Sequence, residues 1–372
     1  MSLEILHEAA LARSLERGEL VVAEGAQSNV HSCEATLVDL YAYVSGLELT
    51  VDSVELERKE LHVTPEWSRV TTIVHLRGGG TEGVGEDVTY QPEPHDDPPR
   101  PDVAGTWALA SYSAHLEGFE FFSVAPEDGA ARDYRRWAWE SAALDLALKQ
   151  AGTDLARTLG RERSPVTYVV STRATNVFPL LELYPDLRFK LDPDREWLDE
   201  FIDRLSTLSC VETADFKGVF RGSFGTPPDP ALYRRIAEAF PQAWLEDPGL
   251  NDETDEVLRP YRDRITWDAP IHSLEDAEAL PFPPKCLNVK PSRFGTVRRL
   301  FDFYDWCESR GVLMYGGGQF ELGVGRTQLQ ELASLFHPDV PNDVAPSVFN
   351  APDLPRNAPR SPLPPPQAFG VS

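Results

Sequence analysis

Between Glu48 and Tyr90 apolar and polar residues alternate, as in LELTVDSVELERKELHV and VTTIVHLRGGGTEGVGEDV. A period of two turns one face of each strand toward a core, so the segment predicts antiparallel strands with a glycine-rich hairpin. The period then changes. In RDYRRWAWESAALDLALKQAG, Trp137, Ala138, Ser141, Leu144, Ala147 and Leu148 recur at helical spacing, and the run predicts a helix ending at Gly152. The intervening QPEPHDDPPRPDVAG holds too much proline and acid for regular structure and reads as a loop or flap.

From Pro165 onward a strand-then-helix unit repeats. The strand-like runs are VTYVVST, LRFKLD, CVETADF, AWLEDP, RITWDAP, CLNVKPS and VLMYGGG. Helix-like runs such as DREWLDEFIDRLSTL, DPALYRRIAEAF, SLEDAEAL and TVRRLFDFYDWCESRG fall between them, each behind a capping residue or turn. Seven such strands, with an eighth expected near VAPSVF, predict an α/β fold of the β/α-barrel kind rather than an open sheet, and no GxGxxG follows a strand. The chain divides into an unassigned segment over residues 1–46, an α+β domain over 47–150, the barrel over 151–350 and a proline-rich tail over 351–372. The tail is expected to pack back on the N-terminal domain.

Charge narrows the function. Sixty acidic against thirty-five basic residues give a formal net charge of −25 over 372 residues, with no local Lys/Arg cluster to offset it. Such a surface repels phosphate backbones and anionic lipid, so neither nucleic acid nor membrane is an expected partner. No apolar run reaches the roughly 18 residues that span a bilayer, and charges are scattered through the first twenty positions, so a cytoplasmic protein is expected. Cys33, Cys210, Cys286 and Cys307 lack metal-ligand spacing and read as reduced structural thiols. Only six basic residues are lysine: Lys59, Lys149, Lys190, Lys217, Lys285 and Lys290. Unlike arginine, a lysine can be desolvated until its amine is neutral.

In a β/α barrel the reactive groups stand at the C-terminal ends of the strands. The second barrel strand ends at Lys190, the third at Asp215 and Lys217, the fourth at Glu246 and Asp247, the fifth at Asp268 and the sixth at Lys290. Asp215, Glu246 and Asp268 offer all-oxygen ligation of the sort a hard divalent ion such as Mg2+ takes, Mn2+ being the alternative. A neutral lysine on either side is placed to remove and return a proton. Taken singly, each carboxylate also reads as a helix cap and each lysine as a snorkelling surface charge.

These residues resemble the enolase superfamily, most closely the branch around muconate-lactonizing enzymes, o-succinylbenzoate synthases, and N-acylamino-acid racemases or dipeptide epimerases. LNVKPSRFGTVRR is similar to that branch's sixth-strand lysine motif, WLEDP to its fourth-strand glutamate, ADFKG to its third-strand aspartate and GVGED to the turn of its capping domain. GGGQFELGVGR resembles the glycine-rich seventh-strand ending and would bring Glu321 to the substrate. The likeness runs from about Leu47 to Ser372.

It implies an α+β capping domain followed by a modified TIM-type (β/α)7β barrel. It also implies magnesium on Asp215, Glu246 and Asp268, with Lys190 and Lys290 facing each other across the α-carbon of a small carboxylate substrate. The implied chemistry is abstraction of the α-proton through an enediolate, leading to racemisation or epimerisation, cycloisomerisation or β-elimination, in an isomerase or lyase expected to be a homo-oligomer. Thr89 and Tyr90 fall where the cap would meet substrate. Three departures stand out. Arg188 replaces the first of two second-strand lysines, keeping a positive charge beside Lys190, and is expected to bind substrate. Lys217 replaces an asparagine, where it would compete with the metal or bind a substrate anion. Ala269 replaces a carboxylate. The rival reading is a metal-free relative that binds a small anionic ligand. A sugar-acid dehydratase ranks below both, because the His-Asp pair it needs is not apparent and His272 follows strand five.

Overall fold

The computed structural model describes residues 39–64, 67–220, 225–351 and 353–371. Cys33 and most of the unassigned segment at 1–46 lie outside the described residues.

Among the described residues, five strands build the N-terminal, capping domain. β1 (Glu48–Val51) pairs antiparallel with β5 (Gly105–Ala108), while β2 (Ser53–Thr64), β3 (Trp67–Gly78) and β4 (Thr81–Asp87) form an antiparallel meander. The turn between β3 and β4 is Gly79 and Gly80, with φ of 59° and 78°, the left-handed pair that a two-residue hairpin needs. The helix Ala131–Gln150 packs on β3 and β4. A Cβ on Gly85 would stand 2.1 Å from the Ala138 carbonyl oxygen, and one on Gly83 2.2 Å from that of Ala142. The glycines of GVGED are there because the helix backbone occupies the space of a side chain.

The proline-rich stretch after β4 is a loop with one 3-10 turn, Glu93–His95, and it is tied down rather than loose. His95 is buried, its ring nitrogens 2.8 Å from Thr72 Oγ1 and 2.9 Å from the Thr89 carbonyl oxygen.

Seven parallel strands follow in chain order: β6 (Val170–Ser171), β7 (Phe189–Leu191), β8 (Val211–Asp215), β9 (Trp244–Glu246), β10 (Ile265–Trp267), β11 (Cys286–Val289) and β12 (Leu313–Gly316). All seven lie inside the runs read from sequence. Their neighbours are β/α-unit helices with ordinary caps: Asp229 accepts from the Ala231 and Leu232 N–H groups, Ser273 from Asp276, Thr296 from Arg299, and Gly311 ends Val297–Arg310 at φ 65°. The three described cysteines, Cys210, Cys286 and Cys307, are buried and free.

Closure of the barrel falls just ahead of the place expected. VAPSVF contributes a 3-10 turn at Ser347–Asn350, whereas the eighth staves are the single parallel bridges Asn342 to Tyr168 and Asp343 to Gly317. Asn342 explains the position. Its Oδ1 accepts from the Gly316 N–H at 2.6 Å, and its Nδ2 donates to the Thr167 and His337 carbonyls at 3.1 and 2.9 Å, so one buried side chain links both edges. The tail then runs beside the segment just ahead of β6, where Leu363 forms an antiparallel bridge with Val166. It finishes against the cap helix, with the Gly370 N–H 2.9 Å from Asp145 Oδ1.

Candidate functional site

The C-terminal ends of β7 to β12 gather a buried cluster of alternating charge. Lys190, in the middle of the three-residue β7, points its Nζ at Glu246 Oε1 and stands 3.4 Å from Asp215 Oδ2 and 3.9 Å from Asp268 Oδ2. Glu246 also accepts from the Tyr315 hydroxyl. Asp215 is doubly held, since Lys217 brings its own N–H to 3.0 Å of Oδ1 and its Nζ to 2.7 Å of Oδ2. Lys290 donates to Asp268 Oδ2 at 2.8 Å, and Arg293 takes Asp268 Oδ1 at 2.7 Å as well as its carbonyl.

These contacts fix the protonation tendencies. Burial alone would strip the Lys190 proton, but Glu246, Asp215 and Asp268 outweigh it and raise its pKa well above the usual lysine value. At Lys290 burial prevails, assisted by Arg293 and Lys190 against the pull of Asp268, and the pKa is lowered. Burial favours protonated Asp268, yet Arg293, Lys290 and Lys190 together hold it below the carboxylate range. Asp247 is buried beside Asp268 and Asp215 with only backbone N–H partners, and its pKa rises to about 7.

Two of the expected site residues are placed differently from the others. Asp215 and Glu246 are brought together with Asp247, not Asp268, as the group whose ligand atoms lie within 4.8 Å of one another. Asp268 has both oxygens engaged by Lys290 and Arg293. Asp247 reaches the group because its backbone is left-handed, φ 48°, which aims its carboxylate at the Asp268 and Ala269 N–H groups, both at 2.8 Å. Arg188, expected to bind substrate, lies away from the cluster. Its side chain is 45% exposed, pairs with Glu212 at 3.0 Å and donates to the Ser209 carbonyl ahead of β8. The register between β7 and β8 slips after Phe189, so Arg188 falls before the ladder that carries Lys190.

Glu321 lies in the loop after β12, buried, with Oε1 2.5 Å from the Gln319 N–H and Oε2 3.0 Å from Arg326. The cap meets this loop. Glu86, from GVGED, accepts from the Leu322, Gly323 and Gly325 N–H groups at 2.6, 3.0 and 2.9 Å. Buried Arg69 donates to the Val88, Thr89, Gln319 and Phe320 carbonyls, and Tyr90 bonds Gln319 Oε1 at 3.0 Å. Arg293, Tyr315 and Glu86 were not singled out from sequence as site residues. The signal for Arg293 was its place one turn after Lys290 in KPSRF; that for Tyr315 was its inward position just before the glycine run.

Residues 42–158 and 162–351 match the N-terminal and C-terminal domains of the family described as Domain of unknown function (DUF8230). The o-succinylbenzoate synthase of Bacillus subtilis (strain 168) is 25% identical over 223 residues, and that of Listeria innocua serovar 6a is 24% identical over 229. Each match takes in 56% of this chain and spans only 58% of the relative's length. Among solved structures, a muconate cycloisomerase from Pseudomonas fluorescens superposes with TM-score 0.58 at 17% identity, covering 80% of this chain and 87% of that one. A dipeptide epimerase from Methylococcus capsulatus complexed with Mg ion gives TM-score 0.58 at 17% identity over 79% and 90% of the two chains. The chain belongs to the DUF8230 family, and it shares its fold with this muconate cycloisomerase and this dipeptide epimerase.

Proposed function

We propose that the protein is a magnesium-dependent isomerase or lyase that abstracts the proton α to the carboxylate of a small substrate, with Lys190 and Lys290 as its acid and base. The observation that carries this reading is the convergence of both lysines on one carboxylate oxygen, Asp268 Oδ2, at 3.9 and 2.8 Å, beside three clustered carboxylates.

The donor set suits a hard divalent ion: it is all oxygen, buried, and compact enough for one ion to bridge. Asp215 and Glu246 would hold the ion on either count, with a third oxygen from Asp247, which the structure clusters with them, or from Asp268. When bound, the ion supplies charge neutralisation for a substrate carboxylate and its developing second charge. The protein's own groups do the rest. Lys290, its pKa lowered chiefly by burial, is suited to take the proton at Nζ as a neutral amine. Lys190, held as an ammonium by the surrounding carboxylates, carries the proton that the acid would return, and its raised pKa binds that proton tightly. Tyr315 and Arg293 hold Glu246 and Asp268 in place.

Because the curated relatives are named o-succinylbenzoate synthases, formation of o-succinylbenzoate is the first assay, followed by N-acylamino acids and dipeptides. The decisive measurement is α-proton exchange in D2O with magnesium present. Exchange that survives in both Lys190→Ala and Lys290→Ala for every turned-over substrate removes this mechanism.

A second reading has its own observation. Asp215, Glu246 and Asp268 are already paired with Lys190, Lys217, Lys290 and Arg293, which is how a metal-free binder of a small anion would balance its charge. Calorimetric titration with Mg2+ after chelation separates the two, because a binder shows no heat.

A further inference from the structure

Asp215 Oδ2 is shared by two ammonium groups, Lys217 at 2.7 Å and Lys190 at 3.4 Å, although it is one of the oxygens the proposed ion would need. The two lysines differ in freedom. The Lys190 side chain is 4% exposed and boxed among four carboxylates, whereas that of Lys217 is 31% exposed. Lys217 also has a second anion within reach: its Nζ stands 3.3 Å from Asp192 Oδ1, on a side chain that is 52% exposed.

The backbone holds this arrangement against local preference. Lys217 has φ 50°, the left-handed region that a residue with a Cβ enters at a cost of about 1 kcal/mol or more. It is kept there by the bond from its own N–H to Asp215 Oδ1, by Thr226 N–H donating to its carbonyl at 3.2 Å, and by Gly218 N–H donating to the Asp247 carbonyl at 2.8 Å. The strained turn folds the lysine back over the carboxylate two residues before it. An ordinary extended residue would carry the ammonium past the site.

We propose that Lys217 is a tethered counter-ion that holds the Asp215 oxygen in the metal-free protein and passes to Asp192 when a divalent ion enters. Metal binding is then an exchange of one cation for another. The buried carboxylate is never left unpaired, and affinity for the ion is the difference between two contacts rather than the strength of one. The inference rests on the reading that the site takes magnesium.

Calorimetry with magnesium chloride alone, on chelated full-length protein, tests it. Neutralising Lys217 as Lys217→Gln or Lys217→Met tightens Mg2+ binding by about tenfold. The charge-keeping Lys217→Arg stays near the parent. Asp192→Asn, an exposed change that leaves the core alone, weakens binding about threefold, and this effect vanishes when combined with Lys217→Gln, the signature of a coupled pair. In chelator the neutral variants melt lower than the parent, because Asp215 has lost a partner, and they gain more from added magnesium. A parent that binds no magnesium while Lys217→Gln does also supports the exchange. Folded neutral variants that bind with the parent's affinity overturn it and leave the magnesium reading standing. Absence of binding in parent and variants alike removes both.

Discussion

The Lys190 ammonium sits directly against Glu246 and 3.4 Å from Asp215, two carboxylates on the next two strands of the barrel. A residue first read as a base is thus also the cation that allows those carboxylates to be buried together. Removing it leaves Glu246 with Tyr315 and, among the described residues, no ion-pair partner, so Lys190 acts in stability as well as in the proposed chemistry.

Lys290 separates those roles, because Arg293 still neutralises Asp268 when Lys290 is absent. Lys290→Ala is expected to lower turnover by about 10²- to 10⁴-fold, the usual worth of a positioned acid or base, with a small change in melting temperature. Lys190→Ala is expected to lose both turnover and stability. Steady-state kinetics beside calorimetric melts check the contrast; equal destabilisation by the two changes argues against it.

Arg188 gives a negative control drawn from the structure. With its side chain half exposed and paired to Glu212 rather than to the cluster, Arg188→Gln is expected to leave turnover within about twofold and stability within about 0.5 kcal/mol of the parent. A tenfold loss of activity would show that the guanidinium reaches substrate.

Glu86 ties the cap to the loop that carries Glu321. Glu86→Ala strands the Leu322, Gly323 and Gly325 N–H groups, and since an unpaired buried donor costs about 1–3 kcal/mol, a loss of about 3 kcal/mol is expected in denaturant unfolding. An unchanged unfolding midpoint would mean that water replaces the carboxylate.

The barrel seam is sensitive to acid. Burial lowers the pKa of His337 from the ordinary 6.5 to about 4, and its Nδ1 lies 2.7 Å from Asn342 Oδ1. A histidine whose folded pKa is depressed contributes stability that is whole above about pH 6.5 and is lost as pH falls through the folded value near 4. The loss reaches about 3 kcal/mol by pH 4. Urea unfolding of the parent and of His337→Gln from pH 7 to 4 should diverge across that window, and parallel curves would refute the assignment.

Residue order alone determined the alternating strands of the N-terminal domain, the long helix that follows them, the seven parallel barrel strands and several of the helices between those, since alternation and helical spacing follow from which face must be buried, and capping residues mark where helices begin. It also put Lys190, Asp215, Glu246, Asp268 and Lys290 near one another, because parallel strands in series bring their C-terminal ends together whatever the details. What needed the tertiary structure were effects of one or two residues. A register slip beside a three-residue strand sends Arg188 outward. Left-handed backbone at Asp247 and Lys217 folds their side chains back over the cluster. Asn342 closes the barrel through hydrogen bonds to residues far along the chain. Each of these depends on a partner distant in sequence, and local patterning holds no record of such partners.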